Sequence, residues 1–457
     1  MSKILIITTE FISFEGSPTG GRGVRIENLA QGLTEHGHSV VFSFLVDNYH
    51  KLKNKPPQNL IEYLHNYYYD DIIEKVKPDI IIFSPWTLLL GLKNEDIINK
   101  YFIGADLNGS LLLENTFSKE IDDLPFTSKK IAALNKADFF LCSNDRQKYY
   151  VMSWLFLSGQ SLEKDMIIIC PPSCNLADNS KRTYPQIPEY IFGGVLWHWQ
   201  DYGENLKIIA EYLDSQGGIL KIFCDSFIYS NENKKLEYLD KYKSVRQYGL
   251  IAYDELMKHY QTASVAVELY ILNTERLLAT TTRTAAYFAN ALPVIYTEQM
   301  YFAAIIKDYD AGWVIDSKNK NALLRVLEEI NANPQICAIK GKNAQNIILE
   351  KLNNKIATQS LSVYCNNPFK TKKTKNYFIF SADTIYNQSE IILKFQKKAE
   401  IEKSKYQEEL KLRDELIKQK ETEINFLNAD LTRIKSRIVF KLLLKIKKIL
   451  NFVFGKF

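Results

Sequence analysis

Apolar and polar positions along the chain predict strands and helices in turn. Residues 3–9 are continuously apolar and β-branched, which is typical of a strand buried on both faces. Apolar side chains then recur at helical spacing through residues 24–38, and residues 40–42 begin a second strand. A strand, a helix and a further strand form a βαβ unit, which requires a parallel sheet.

The same alternation continues along most of the chain and is interrupted once by a polar, proline-containing stretch at residues 175–188. We therefore predict two α/β domains, residues 1–175 and 188–365, with a cleft between them. Further strands are expected at 80–83, 101–103, 139–141, 166–170, 190–192, 219–223 and 264–269, and further helices at 254–260 and 321–330.

Residues 280–297 predict an amphipathic helix that runs into a buried strand. Ala285, Phe288 and Ala289 have helical spacing, and Pro293 prevents the helix from continuing. Three threonines and Arg283 fall at the expected helix N-terminus, where free N–H groups and a partial positive charge favour anions. The stretch is therefore either a diphosphate site or an ordinary helix–strand unit of the sheet.

Composition and charge limit the classes of function. The 457 residues are 46% hydrophobic, which is enough for sizeable cores. The net charge of the chain is +5, and residues 432–457 hold eight Lys or Arg and no acid. The rest of the chain therefore has a net charge of −3, so we expect no nucleic-acid partner. The six cysteines are scattered, without the spacing of metal ligands, so we expect no bound metal. We also expect neither a signal peptide nor a membrane-spanning segment, and hence a cytoplasmic protein.

The C-terminal part changes to Lys, Glu, Gln and Leu. Apolar residues recur every seven positions from Leu410 to Ile438, so residues 386–431 predict either a coiled coil that makes a homo-oligomer or a single solvated helix. Residues 432–457 predict a basic amphipathic helix suited to an anionic membrane surface. The alternative is that its apolar face packs on the other domains or within the oligomer.

Four segments resemble one family in their order and spacing, namely GGRGVRIENLAQGLTEHGHSV, KADFFLCSNDRQKYYVMSWLFLSGQ, FGGVLWHWQDYGENLKII and ERLLATTTRTAAYFANALPVI. The chain resembles bacterial glycosyltransferases of the GT-B fold, of the family 4-like group found in surface polysaccharide assembly, over roughly residues 1–365. The resemblance implies two Rossmann-like domains, a nucleotide-sugar donor held mainly by the second, and a glycan or lipid-linked acceptor. It also implies a peripheral position on the inner face of the cytoplasmic membrane, and no cofactor.

The resemblance assigns site residues in both domains. It places a donor site in the second domain and a cleft-facing loop in the first. The implied donor residues are Gly193, Gly194, Trp199, Asp201, Glu275, Arg283 and Thr284, and the implied loop residues are Gly21, Gly23 and Arg25.

Two departures from the family pattern concern charge. The usual Glu-x7-Glu is incomplete: Arg283 stands eight positions after Glu275, and Ala286 stands where the family's second Glu would align. The usual Arg and Lys after the glycine loop are replaced by residues 195–197. The positive charge for the diphosphate is then expected from Arg283, Arg276 or Arg246.

An inverting transferase also needs a base for the acceptor hydroxyl group. Asp106, after a predicted strand, is the first candidate and Glu10 is the second, although either carboxylate could simply cap a loop. His198 and the tryptophans beside it either contact a sugar or pack in the core. Two other functions remain open, a GT-B scaffold without activity and a nucleotide-sugar epimerase.

Overall fold

The computed structural model describes most of the chain in two compact units, Met1–Tyr386 and Asn387–Phe457. The described residues are 1–10, 18–45, 61–64, 69–116, 123–162, 164–180, 182–195, 197, 199–224, 236–374 and 377–454.

The first unit contains two parallel sheets, as the βαβ pattern predicts. The first sheet has seven strands in the order β3-β2-β1-β4-β5-β6-β7, and the second has six in the order β10-β9-β8-β11-β12-β13. The strands are β1 Lys3–Thr8, β2 Ser39–Leu45, β3 Ile61–Leu64, β4 Ile80–Ser84, β5 Phe102–Asp106, β6 Phe139–Cys142, β7 Ile167–Ile169, β8 Glu189–Gly193, β9 Ile219–Phe223, β10 Val245–Gln247, β11 Val265–Glu268, β12 Val294–Thr297 and β13 Gly312–Ile315.

Helices connect the strands and cover both faces of each sheet. The α-helices are α1 Gly21–Glu35, α2 Asp70–Val76, α3 Glu95–Lys100, α4 Leu111–Asn115, α5 Asp123–Lys136, α6 Asp145–Leu157, α7 Asn205–Gln216, α8 Tyr253–Tyr260, α9 Thr274–Leu278, α10 Thr282–Ala289, α11 Ala303–Tyr309, α12 Lys320–Ala332, α13 Ile336–Ile347, α14 Asn354–Ala357, α15 Gln359–Asn366 and α16 Tyr377–Phe454. Short 3-10 segments lie at Trp86–Gly91 and Glu237–Leu239, and a π-helical turn at Ile348–Leu352.

The first strand shows why its sequence has no polar face. Leu5 and Ile7 pack into one hydrophobic cluster, whereas Ile4 and Ile6 pack into another on the opposite face of the sheet. A central parallel strand is covered on both sides, so every position is selected to be apolar. The second sheet has its own core, to which α10 contributes Ala285 and Phe288.

The last helices of the predicted second domain, up to residue 365, lie against the first domain. Helix α15 packs on the first sheet, where Leu361 and Cys365 join the cluster that contains Ile4. Asn354, at the start of α14, donates to Gln31 of α1 at 2.9 Å. The chain therefore returns to the first domain before α16 begins, which local composition could not indicate.

The second unit begins at Asn387, within α16, and is helical up to Phe454, where that helix ends. This confirms that residues 386–431 and the described part of 432–457 are helical, and the coiled-coil pairing stays a prediction. Apolar side chains such as Ile417, Ile424 and Ile438 are about half exposed, at 49%, 55% and 53%. Within the described residues, no helix is both long enough and apolar enough to cross a membrane.

Candidate active site

A cavity of about 550 Å³ lies between the two domains of the first unit. Its volume is in the range of small-molecule and cofactor sites. The first domain contributes the start of α1 and the segment around α4, and the second contributes residues 194–200, 250–260 and 275–286. The domains approach closely at Gly21, where an added Cβ would lie 2.6 Å from Thr282 Oγ1. A side chain at Gly21 would therefore displace the Thr282 hydroxyl group.

Helix α10 directs its N-terminus at the cavity. Thr280, Thr281 and Thr282 all line the cavity, and the N-cap residue Thr281 makes no side-chain capping hydrogen bond. Its hydroxyl group lies 2.5 Å from that of Thr284 instead. The first turn of the helix thus keeps the anion-binding character that the sequence predicts.

Arg283 lies beside these threonines and forms part of the cavity wall. Its Nη1 donates to the carbonyl oxygen of Gly193, and its Nε is 3.5 Å from Glu268 Oε1. Gly194 has φ +126°, and a Cβ there would lie 2.5 Å from Arg283 Cζ. The absence of a side chain at Gly194 therefore makes room for the guanidinium group.

Glu268, at the end of β11, was missed by sequence reasoning. It is fully buried and accepts a hydrogen bond from the Thr284 hydroxyl group. Burial raises the pKa of Glu268, and the nearby Arg283 guanidinium partly counters this. Since Glu268 is one acid in an otherwise apolar strand, only its contacts reveal that it orients Arg283 and the first turn of α10.

Glu275 and Arg276 line the cavity from the short helix α9. Their side chains form a two-point ion pair, with Arg276 Nε 2.5 Å from Oε2 and Nη2 2.7 Å from Oε1 of Glu275. Both residues are buried, and Nη1 of Arg276 has no hydrogen-bond partner among the described residues. An unsatisfied buried guanidinium nitrogen in a cavity wall suits a bound anion.

Two further charged residues line the cavity from the first domain. Arg22 Nη1 donates to Glu10 Oε1 at 2.8 Å, so the second candidate for the base lies in the cavity wall but in an ion pair. Glu114 of α4 also lines the cavity, and burial raises its pKa to about 7. Arg22 stands in the glycine-rich segment and could have been suspected, whereas nothing in the local sequence distinguishes Glu114.

Asp106, the first candidate for the base, and Arg25, expected in the cleft, both lie outside the cavity lining. The two side chains form a buried ion pair with Arg25 Nε at 3.2 and 3.3 Å from the carboxylate oxygens, and each is 1% exposed. Arg25 also donates to the Cys170 carbonyl oxygen at 2.7 Å, and Ser84 donates to Asp106 at 3.0 Å. Neither residue lines the cavity, because this ion pair cross-links the first domain instead.

The remaining expected site residues divide between the cavity and its surroundings. Gly194 and Trp199 line the cavity, and Trp199 stacks on Trp197 with ring centroids 4.8 Å apart. The others lie outside the lining. Gly23 is buried within α1, Thr284 is buried behind the start of α10, and Gly193 accepts a hydrogen bond from Arg283 through its carbonyl oxygen. Asp201 is exposed and accepts from the Gly203 N–H at 2.8 Å, and Arg246 donates to the Val245 carbonyl oxygen at 2.8 Å. His198 falls outside the described residues.

The sequence matches no family model and no curated protein. The structure is similar to sucrose-phosphate synthase from Thermosynechococcus elongatus, with TM-score 0.56 and 13% identity over 80% of this chain and 99% of that one. It is also similar to the trehalose-6-phosphate synthase OtsA, with TM-score 0.59 and 10% identity over 81% and 100% of the two chains. The chain has the GT-B fold.

A third neighbour is WaaG, a glycosyltransferase involved in lipopolysaccharide biosynthesis, with TM-score 0.52 and 12% identity over 79% of this chain and 99% of that one. In GT-B terms the cavity is the cleft between the two Rossmann-like domains, as the sequence predicts. Across the described ranges, no three His, Cys, Asp or Glu side chains lie close enough to share a metal ion.

Proposed function

We propose that the chain is a glycosyltransferase that moves a sugar from a nucleotide sugar to a glycan or lipid-linked acceptor, without a metal ion or cofactor. The observation that carries this proposal is the convergence of the α10 N-terminus, Arg276 and Arg283 on one cavity. A GT-B fold by itself leaves the function open, because one fold hosts many activities.

The diphosphate of the donor would bind at the start of α10. The first-turn N–H groups and the Arg283 guanidinium can donate to phosphate oxygens. As the bond to the sugar breaks, negative charge grows on the leaving diphosphate, and groups already fixed in place stabilise it without rearrangement. Glu268 supports this role because it holds Arg283 from behind.

The nucleoside would occupy the apolar wall of the second domain, where Phe223, Leu250, Ile251 and Tyr253 line the cavity. Glu275 stays our expected contact for the ribose hydroxyl groups, through oxygens that it also shares with Arg276. Among similar structures, one α-glucosyltransferase is in complex with UDP, and a trehalose-6-phosphate enzyme is bound with UDP-2-fluoroglucose. UDP and UDP-sugars are therefore the first ligands to test.

The experiment compares the full-length protein with Arg283→Ala by titration calorimetry of UDP. Loss of one charge-assisted contact should weaken binding by about 1.5 to 3 kcal/mol. Arg246→Ala is the matched control, because that arginine is exposed and bonds only backbone oxygens of residues 243 and 245 in the described structure. Equal UDP affinity for the wild type and a folded Arg283→Ala variant would contradict the diphosphate assignment.

A second measurement separates a transferase from the alternative functions. The protein is incubated with a panel of UDP-sugars, and release of UDP is followed. A transferase releases UDP slowly with water as acceptor, a scaffold binds UDP without consuming any donor, and an epimerase accumulates the epimeric nucleotide sugar. Failure to bind any nucleoside diphosphate and to consume any nucleotide sugar would refute the proposed function.

We further propose that the C-terminal helix attaches the enzyme to the inner face of the cytoplasmic membrane and pairs subunits. Exposed Ile434 and Leu442 alternate with basic residues, an arrangement suited to anionic lipid. Each basic residue near such a surface adds about 1 kcal/mol of attraction. The seven-residue apolar repeat preceding this segment would form the coiled coil of a homo-oligomer.

Flotation with anionic and neutral vesicles tests the membrane proposal, using the full-length protein and a chain that ends at Asn428. Salt-sensitive flotation of the full-length protein only is expected. Equal flotation of both chains would rule the proposal out. Sedimentation of the full-length protein tests pairing, and a monomer at micromolar concentration would exclude the coiled coil.

A further inference from the structure

Helix α6 of the first domain begins at the cavity, and the glutamine in its first turn has an unsatisfied donor. Gln147 is 1% exposed and lines the cavity. Its Oε1 accepts from the backbone N–H of Ser143 at 2.8 Å, whereas its Nε2 has no hydrogen-bond partner among the described residues. A buried amide donor without a partner costs free energy, so a bound oxygen that accepts from it would be favoured.

The orientation of the Gln147 amide follows from its capping bond. A backbone N–H can only donate, so the amide atom that faces Ser143 must be the oxygen. The N-cap residue Asn144 fixes the same turn, because its Oδ1 accepts from the Gln147 backbone N–H at 2.7 Å. The NH2 group of Gln147 is therefore a fixed donor in the cavity wall.

Asn144 also holds this turn against the second domain. Its Nδ2 donates to the Leu278 carbonyl oxygen at 2.8 Å and to Thr280 Oγ1 at 2.6 Å. Thr280 belongs to the loop that leads into α10, whose first turn is the expected diphosphate site. Gln147 is thus fixed within one helical turn of a residue that contacts this loop.

A second buried glutamine, away from the cavity lining, has both ends of its amide satisfied. Gln160 is 5% exposed, and its Nε2 donates to the carbonyl oxygens of Leu134 and Ala137 at 2.8 and 2.9 Å. Its Oε1 accepts from Thr371 Oγ1 at 3.0 Å. The contrast indicates that the unsatisfied donor of Gln147 belongs to the cavity rather than to the packing of the first domain.

The second domain places another unsatisfied donor in the cavity wall. Nη1 of Arg276 has no partner in the described part of the chain, whereas its Nε and Nη2 donate to Glu275. The sugar of a nucleotide sugar is joined to the terminal phosphate, so it would extend from the start of α10 into the cavity that Gln147 and Arg276 line. Hydroxyl oxygens of a sugar suit an uncharged amide donor.

We propose that Gln147 binds the transferred sugar of the donor, with Nε2 donating a hydrogen bond to a sugar hydroxyl oxygen. The inference rests on the proposed function. Asn144 is a positioning residue for this contact, because it caps α6 and bonds the loop before α10 at the same time. The contact adds affinity for the nucleotide sugar and none for the nucleoside diphosphate that leaves.

The test first identifies the donor, by following release of nucleoside diphosphate from a panel of UDP-, GDP-, ADP- and dTDP-sugars with water as acceptor. Because transfer to water is slow, the KM of the donor reports its binding. Calorimetry gives the affinity for the matching nucleoside diphosphate. Gln147→Met should raise the donor KM about fivefold or more and leave the nucleoside diphosphate affinity within about twofold.

Gln160→Met is the matched control, because it makes the same substitution at a buried glutamine outside the cavity lining. It should lower Tm and leave both the donor KM and the nucleoside diphosphate affinity within about twofold of the wild type. An unchanged donor KM in Gln147→Met overturns the inference, and this includes the case in which Gln147 contacts only the acceptor. An equal loss of affinity for both ligands also overturns it, since it indicates a diphosphate contact or a structural role.

A crystal structure of the wild type with the donor bound decides the question if Gln147→Met does not fold. A sugar oxygen within about 3.2 Å of Nε2 supports the inference, and any other partner of Nε2 overturns it. Wild-type protein that binds no nucleoside diphosphate and consumes no nucleotide sugar refutes the proposed function. An active wild type with an unaltered Gln147→Met variant refutes this inference alone.

Discussion

The cost of an ionised Glu114 offers a test that needs no substrate. The pKa of this carboxyl is about 7 in the folded protein, against a reference value of 4.5. When folding raises the pKa of a carboxyl group, the folded protein favours the protonated form. The free energy of unfolding is therefore highest below pH 4.5 and falls as the pH rises through 7. The difference between the two pKa values corresponds to a loss of about 3 kcal/mol in the free energy of unfolding at pH 8.

Glu114→Gln keeps the shape of the side chain and removes its ionisation. Relative to the wild type, we expect this variant to gain stability progressively between pH 5 and pH 8. For a unit of this size, about 3 kcal/mol corresponds to a relative rise in Tm of about 3 to 5 °C. The gain is largest at alkaline pH, where the wild type must bury a charged carboxylate that the variant lacks.

The assay is thermal unfolding of both proteins, followed by circular dichroism in buffers from pH 5 to pH 8. Glu10→Gln is the control, because its carboxylate is partly exposed and paired with Arg22. Its unfolding temperature should not rise relative to the wild type as the pH increases. Parallel curves for the wild type and Glu114→Gln across this range would refute the reasoning, since they would mean that Glu114 ionises as readily in the folded protein as in the unfolded chain.

Two further predictions concern the donor side of the cavity. Gly194→Ala should weaken UDP binding at least tenfold, because the new methyl group displaces Arg283. The control is Gly217→Ala, also at positive φ but with no atom within 4 Å of the new Cβ, which should cost about 1 to 2 kcal/mol of stability and leave UDP affinity unchanged. Equal UDP affinities of Gly194→Ala and the wild type in calorimetry would contradict the prediction. Glu275→Gln should lower donor consumption and destabilise the fold by about 3 kcal/mol, because it leaves the buried guanidinium group of Arg276 without its anion. An unchanged Tm would contradict a stabilising contribution of that ion pair.

Much of the fold could be predicted because the information is local. Residues 3–9 predict β1, residues 219–223 coincide with β9, and residues 280–297 predict both α10 and β12. Each of these segments has an apolar periodicity that fixes its type and its buried face, and Pro293 fixes where the helix cannot continue. The parallel arrangement of both sheets follows from the alternation of strands and helices.

Part of the candidate site could also be predicted. The threonines and Arg283 belong to a helix start, and a helix start in a parallel α/β fold faces the cleft at the carboxyl end of the strands. The family resemblance implied Gly21 and Gly194 at the cleft, and both line the cavity. These positions depend on one element each, so the sequence by itself was sufficient.

The partners of the charged residues were decided by the tertiary structure. Arg22 and Arg25 are three positions apart in one helix, yet Arg22 pairs with Glu10 at the cavity and Arg25 pairs with buried Asp106. Glu114 acquires its raised pKa only because α4 is packed among α1, α5 and α9. Burial and ion pairing depend on distances between segments far apart in the chain, so no local pattern could distinguish a cavity carboxylate from one that cross-links a domain.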